Sequence, residues 1–138
     1  MTARRQPRPI HVTVRRGRHV LHAAAVHNGA DLVVVLGGGE RPHVGCVALA
    51  VPHPSTADPE RTSATASVLA IPPHREGQAA ASLAAALARA LGVVVVVAAG
   101  IHTDGLDADG IATFEALVGR VQTMLLRRLH LQASRSFK

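Results

Sequence analysis

Residues 93–99, with the sequence VVVVVAA, constrain the fold of this chain more than any other stretch. Valine is stiff at χ1 and favours the extended backbone of a β-strand. The run is too short to cross a bilayer as a helix. It is also apolar on both faces, and strands of that kind lie inside a sheet that other elements cover on both sides. We therefore expect a central strand in a domain that combines strands and helices.

The segments before this run supply its partner strands. Asn28-Gly29 is a strong hairpin signal because both residues tolerate a positive φ. The three glycines at 37–39 have neither the GxGxxG spacing nor that of a P-loop, so a mobile turn is the better interpretation. Prolines 52 and 54 are expected to end the fourth strand. Six segments are predicted to be strands: residues 10–14, 19–26, 31–36, 44–51, 61–71 and 93–99.

Two segments have helical patterns. Residues 76–91 are rich in Ala, carry leucines at i, i+4 spacing and are followed by Gly92 as a C-cap. A second helix begins near Asp107, a good N-cap. The order βββββαβα predicts an α/β (α+β) fold with a single mixed, largely antiparallel sheet of about six strands and two helices packed on it. Because a helix connects the last two strands, these two can be parallel.

The positive charge is concentrated at the two ends of the chain. Residues 1–18 hold six Arg and residues 120–138 hold four Arg and one Lys, in both cases without an acidic residue; residues 19–119 hold four Arg against nine acidic residues. Solvated termini and contact with an anionic partner both explain this pattern. We expect three regions: a flexible basic arm at residues 1–9, a single domain at 10–131 and a frayed tail at 132–138.

Composition excludes several kinds of protein. With two Phe, no Trp and no Tyr, the chain has no aromatic platform for stacking bases, which argues against a nucleic-acid partner. The single cysteine, Cys46, excludes an internal disulfide and lies in an apolar strand, where inert packing is expected. The basic N-terminus is not followed by an apolar region and is not a signal peptide, so we expect a cytoplasmic protein without a membrane partner.

Polar residues that can bind ligands stand at the ends of the predicted strands. His102 and Asp104 follow the strand at 93–99, in front of a helix N-terminus, where open α/β sheets gather ligands. His43 opens another strand, and His74 follows a third. Imidazole and carboxylate groups suit Zn, Fe or Mn, so these four residues are candidate metal ligands. Alternatively, each histidine only caps or hydrogen-bonds its own loop.

Small hydroxyl residues fill the predicted strand that begins at Arg61. If that strand were buried, each hydroxyl would need a hydrogen-bond partner. A guanidinium beside hydroxyls and backbone N–H groups is a natural cradle for a phosphate. In the alternative, Arg61 pairs with Asp58 or Glu60 and only fixes the loop. The candidate phosphate contacts are Arg61, Thr62, Ser63 and Thr65.

Four segments together resemble a known family, the LpdD-like prenylated-flavin chaperones, which are the small D subunit of gallate and 4-hydroxybenzoate decarboxylases. The resemblance covers about residues 40–120. It implies a non-catalytic partner that holds prenylated FMN and delivers it to the large subunit of a UbiD-type decarboxylase. The segments are HVGCVALA at 43–50, RTSATASVL at 61–69, PHRE at 73–76 and VVVAAGIHTD at 95–104.

Carried over position by position, the resemblance implies two groups of residues and no catalytic residue. The first group would bind the cofactor: Arg61, Thr62, Ser63, Thr65, Ser55 and Asp58. The second group consists of the four candidate metal ligands, for Fe or Zn, that were named above from the chemistry of their side chains: His43, His74, His102 and Asp104.

Three functions are therefore in competition. The first is a cofactor chaperone or accessory subunit. The alternative is a small metal-dependent enzyme that uses the four metal-ligand candidates; the two are compatible if a metal helps to hold or oxidise the flavin. Nucleic-acid binding through the Arg-rich ends ranks last because it leaves the central polar residues unexplained. Apolar strands and an Ala-rich helix also favour self-association into a homo-oligomer.

Overall fold

The computed structural model describes residues 6–72 and 76–135. The elements follow the predicted order βββββαβα, which confirms the predicted fold class. They are β1 (Ile10–Arg16), β2 (His19–Asn28), β3 (Asp31–Gly39), β4 (Cys46–Pro54), β5 (Thr62–Ala70), α1 (Gly77–Leu91), β6 (Val95–His102) and α2 (Ala108–Arg135).

The six strands form one mixed sheet in the order β1-β2-β3-β6-β4-β5. β6 is inserted between β3, to which it is parallel, and β4, to which it is antiparallel. All the other neighbours are antiparallel. The last two strands therefore run in the same direction but are not neighbours, because α1 carries the chain past β4 before β6 enters the sheet.

Both helices pack on the same face of the sheet, α1 on β4, β5 and β6, and α2 on β1 and β2. The core between them is aliphatic, with Leu36 and Val97 on the sheet meeting Leu83 and Leu117 on the helices. The prediction that the strand at 93–99 is covered on both sides is therefore wrong for the single chain. Its alternate side chains, such as Val96, point to the other face, which no helix covers.

The glycines at 37–39 belong to β3 and are not the mobile turn that we predicted. Gly37 and Gly38 pair with β2 on one side and with β6 on the other. A Cβ on Gly38 would lie 2.4 Å from the carbonyl oxygen of Val20. Gly39 has a φ of 73°, which bends the chain out of the sheet at the end of the strand. Glycine is required here by close approach of neighbouring backbone, which the linear sequence does not display.

The predicted start of the second helix and end of the first are confirmed, whereas one strand end is not. Asp107 Oδ1 accepts a hydrogen bond from the N–H of Gly110 at 2.8 Å, and Gly92 ends α1 with a φ of 67°. β4, however, continues through Pro52 to Pro54. Its pairing with β6 ends at Ala50, so beyond that point one side of β4 lacks a neighbour and tolerates proline. Among the described helices, none has the length and apolar character of a membrane span.

We predict opposite effects for two glycine-to-alanine changes. A Cβ on Gly100 would lie 1.8 Å from the carbonyl oxygen of His43, a backbone atom that no side-chain rotation moves. Gly100→Ala should therefore lower the free energy of unfolding by about 1–3 kcal/mol. Gly119, in α2, has open space at the same position, and Gly119→Ala should raise it by up to about 1 kcal/mol. Denaturant titration measures both changes, and equal stabilities would contradict the close approach at Gly100.

Candidate functional site

The strand directions bring four chain segments to one edge of the sheet. β3, β5 and β6 end at this edge, and the antiparallel β4 begins there. Arg41 follows β3, His43 precedes β4, and Glu76 follows β5 at the start of α1. His102 and Asp104 leave β6. We call these five residues the His102 edge.

Arg41, His102 and Asp104 form a cluster of hydrogen bonds and charges. Arg41 Nη2 lies 2.8 Å from Asp104 Oδ1 and 2.8 Å from His102 Nε2, and His102 Nε2 lies 2.9 Å from Asp104 Oδ1. Arginine only donates, so an unprotonated Nε2 accepts from Arg41, whereas a protonated Nε2 donates to Asp104. The hydrogen bond from His102 and the charge of Arg41 lower the pKa of Asp104 below its ordinary value. One proton on His102 therefore decides which neighbour it binds.

His43 and Glu76 form the inner part of the same edge. His43 Nδ1 donates to the carbonyl oxygen of Arg41 at 3.1 Å, and its Nε2 lies 3.8 Å from Glu76 Oε1. The same carboxylate oxygen accepts the N–H of Ile101 at 3.2 Å. Burial, together with the negative charge of Glu76, raises the pKa of the Cys46 thiol. A raised pKa disfavours the thiolate, as expected of a packing cysteine.

The described residues contain no group of three or more His, Cys, Asp or Glu side chains arranged to hold a metal. His43 and His102 are near each other, with ring centroids 6.2 Å apart. However, Arg41 Nη2 contacts both His102 Nε2 and Asp104 Oδ1, and a metal cation would need the same lone pairs. The fourth predicted ligand, His74, lies outside the described residues.

The residues predicted to bind the cofactor lie at the opposite edge of the sheet. β4 ends and β5 begins there, and the nine residues of β4 span about 27 Å at the usual rise per residue. The two predicted groups therefore do not share one pocket. We call the loop and strand start at this end the Arg61 edge, comprising Ser55, Asp58, Arg61 and Thr62.

The loop at the Arg61 edge is held by backbone and short side chains. The N–H of Arg61 donates to the carbonyl oxygen of Asp58 at 2.9 Å, and Arg61 accepts from the N–H of Ser55 at 2.8 Å. Asp58 Oδ1 accepts the N–H of Glu60 at 3.2 Å. Within the described part of the chain, the guanidinium of Arg61 has no ion pair with Asp58 or Glu60. The alternative in which Arg61 pairs with either of them therefore finds no support.

The hydroxyl residues of β5 are not buried, contrary to the pattern of a central strand. β5 is an edge strand, and Ser63 and Thr65 lie on the sheet face without helices. His53 of β4 lies beside them. Its Nδ1 donates to the carbonyl oxygen of Pro54 at 2.8 Å, so its Nε2 accepts from the Thr65 hydroxyl at 2.8 Å. A ligand on this face would meet hydroxyl groups already oriented by an imidazole.

Three residues of these edges were missed in the sequence: Arg41, Glu76 and His53. Arg41 could have been found in the sequence, because it comes shortly after three glycines and is one of only four Arg in the acidic middle of the chain. Glu76 stands in the PHRE segment, but only the strand order shows that it approaches His43. The pairing of His53 with Thr65 depends on the register of β4 with β5.

The two basic ends of the chain lie side by side. Gln132 Nε2 donates to the carbonyl oxygen of Arg8 at 2.8 Å, and Arg120 Nη1 donates to that of Arg15 at 3.1 Å. A third such contact joins Arg128 to the carbonyl oxygen of His11. α2 runs to Arg135, beyond the domain end that we expected at residue 131. Among the described residues, Arg120 and Arg128 of α2 therefore lie beside β1 and the segment that precedes it.

An open sheet with helices on one face and polar groups exposed at its edges defines a small α+β domain suited to ligand binding. A family model described as a prenylated flavin chaperone LpdD-like domain matches residues 15–130, and the chain belongs to this family. None of the curated proteins compared with the chain matches it. The family match confirms the resemblance drawn from the four sequence segments.

We predict that the low pKa of Asp104 depends on its two neighbours. His102→Ala and Arg41→Gln should each raise the pKa of Asp104 toward the ordinary aspartate value, about 3.9. Because the folded-state pKa is lowered, the ionised form stabilises the native state at neutral pH, and this contribution is lost as the pH falls through the lowered value. Carboxyl ¹³C NMR titration measures the pKa. Arg120→Gln is the matched control and should leave it unchanged; no change in any variant would rule out the cluster in solution.

Proposed function

We propose that this protein binds prenylated FMN in the cytoplasm and delivers it to the large subunit of a UbiD-type decarboxylase. The family match over residues 15–130 is the observation that carries the proposal. A chaperone must hold its cofactor without retaining it, and both polar edges are open to solvent. We further propose that the chain supplies binding groups only and no catalytic residue.

The phosphate of the flavin is proposed to bind at the Arg61 edge. Arg61 is exposed and its guanidinium has no ion pair among the described residues, so it can receive an anion without breaking another contact. Thr62 and Ser63 begin the adjoining strand and can donate to a phosphate. The Thr65 hydroxyl would have to turn its proton from His53 Nε2 to the phosphate in order to take part. Ser55 and Asp58 shape the loop through their own backbone contacts. Charge-assisted hydrogen bonds from arginine to phosphate are the strong contacts such a site would use.

The His102 edge offers the competing position for the phosphate. Its arginine, Arg41, is already paired with Asp104 at 2.8 Å. A phosphate there would have to displace that carboxylate or lie beside it, and two like charges in contact oppose binding. The difference between a paired and an unpaired arginine is the reason to prefer the Arg61 edge.

We predict that Arg61→Ala weakens binding of reduced prenylated FMN roughly tenfold to a hundredfold. The lost contact to a charged group contributes about 1.5–3 kcal/mol. Arg61→Lys should recover only part, because an ammonium cannot form the planar fork of a guanidinium. The melting temperature should not change, since the guanidinium holds no described neighbour. Anaerobic titration followed by flavin absorbance measures the affinity.

Two further variants make this result specific. Arg89→Ala removes an exposed arginine from α1 and should leave the affinity unchanged. Arg41→Ala tests the competing edge. If Arg41→Ala weakens binding and Arg61→Ala does not, the phosphate site at the Arg61 edge is wrong. If the wild-type chain binds no prenylated FMN at all, the proposed function fails.

Delivery is tested separately from binding. The chain loaded with reduced prenylated FMN is mixed with a cofactor-free UbiD-type decarboxylase, and decarboxylation is followed over time. Activation should be faster or more complete than with the same amount of free cofactor. Binding without any effect on activation would leave a flavin-binding protein and remove the role in delivery.

The metal-dependent alternative would use His43, His102, Asp104 and the undescribed His74, with Fe or Zn as the metal. It requires Arg41 to move away from His102 and Asp104, as the distances given above imply. Elemental analysis of the purified protein tests it: a stoichiometric transition metal that is lost in His102→Ala would support this alternative. A protein that binds prenylated FMN with full affinity after treatment with a chelator would count against it.

A further inference from the structure

The face of the sheet opposite the helices is an apolar surface that no element within residues 6–72 and 76–135 covers. We call it the open sheet face. Leu69 is 80% exposed there, Val35 49% and Leu49 44%. The register places its side chains in two rows that cross five strands. The first row is Leu69, Val47, Ala98, Val35 and Ala24, and the second is Ser67, Leu49, Val96, Val33 and Val26.

These two rows contain no charged side chain. The groups that can carry charge stand around these rows, with Arg15 and His11 on β1, His22 with its ring over Gly37 of β3, His53 at the far end of β4, and Asp31 beside the β2–β3 turn. Asp31 Oδ1 accepts the N–H of Val94 at 3.1 Å, so this carboxylate is already engaged within the chain. An apolar centre with a polar rim is the ordinary composition of a protein interface.

The size of the face matches that of a stable interface. Six strands about 4.8 Å apart and about 30 Å long give a face of roughly 700 Å². One partner in a standard interface contributes about 800 Å². A contiguous exposed patch on a monomer is rarely larger than a few hundred Å². The open sheet face, with its polar rim included, is therefore at the upper end of what a monomer normally leaves in water.

We propose that the open sheet face binds the same face of a second copy of this chain, forming a dimer in which two sheets pack face to face. The valine run at 93–99 is apolar on both faces, the pattern of a strand covered on both sides, yet the helices cover only one. A second sheet would cover the other at the usual spacing of about 10 Å. Because the central rows carry no charge, two identical faces meet without repulsion, as a twofold interface requires.

This inference does not rest on the proposed function: the two apolar rows contain none of the proposed phosphate contacts, and Ser63 and Thr65 border these rows on β5. Its test is the mass of the full-length protein in solution, by sedimentation velocity and light scattering over a wide range of concentration. The wild-type chain should have twice the mass of one 14.3 kDa chain. A wild-type protein that stays monomeric throughout this range would overturn the proposal.

Aspartate substitutions locate the interface. Leu49→Asp and Val35→Asp should each raise the dimer dissociation constant by at least about a hundredfold, because every dimer would bury two unpaired carboxylates. Leu131→Asp is the matched control: Leu131 is 50% exposed on α2, and its change should leave the mass unchanged. Circular dichroism checks that each variant is folded. If an aspartate variant fails to fold, the near-isosteric Val35→Thr replaces it and should weaken the dimer in the same direction.

Two outcomes would contradict the assignment of this face. Folded Leu49→Asp and Val35→Asp proteins that remain dimeric would place the interface elsewhere. A monomeric wild-type chain whose binding to a decarboxylase large subunit is lost in Leu49→Asp, but not in Leu131→Asp, would assign the face to that partner instead of to a second copy.

Discussion

The insertion of β6 between β3 and β4 is the constraint on which the rest of the structure depends. It joins a three-stranded antiparallel unit, β1 to β3, to the β4–β5 hairpin. Without β6, β3 and β4 would become edge strands, and the core would lose the buried side chains Val95, Val97 and Ala99. β6 is suited to this position because its valines pair in register with β3 on one side and β4 on the other, and because small residues let neighbouring backbone approach at its end. The carbonyl oxygen of His43 passes so close to Gly100 that no side chain fits.

The same insertion creates the His102 edge. A parallel partner ends where its neighbour ends, whereas an antiparallel partner begins there. The ends of β3 and β6 and the start of β4 therefore meet, and they bring together Arg41, His43 and His102 from distant parts of the sequence. The groups at this edge pair with one another: the imidazole of His102 and the guanidinium of Arg41 both contact the carboxylate of Asp104, and the hydrogen bond from His102 and the charge of Arg41 lower its pKa. The Arg61 edge is different, because its guanidinium is left without a charged partner among the described residues. That contrast in charge pairing is the physical basis for assigning the anion to one edge and not the other.

The placement of both helices on one face has an equally broad consequence. It buries one side of each strand in an aliphatic core and leaves the other side of β3, β4 and β6 in contact with water. Valine and leucine at those outward positions cost free energy in a monomer and match the pattern expected of a sheet between two layers. The outward side of β5 is mixed: Ser63 and Thr65 lie toward the Arg61 edge, whereas Leu69 continues the apolar surface toward the other end of the strand. The chain thus has three distinct surfaces: two polar edges and one apolar face.

The sequence by itself determined the elements and the family. The periodicity of apolar residues, the helix caps and the turn residues predicted the order βββββαβα, the cap at Asp107 and the hairpin at Asn28-Gly29. Each of these features depends on interactions between residues that are close in the sequence. The motif segments identified the prenylated flavin chaperone family, which the match over residues 15–130 confirmed. Only the tertiary structure decided which strands flank β6, that Ser63 and Thr65 are not buried, and that the glycines at 37–39 belong to a strand. It also showed that His102 and Arg61 lie at opposite ends of the strands, about the length of β4 apart. These features depend on which strands pair and on which face the helices pack, and the contacts that decide both join residues far apart in the chain.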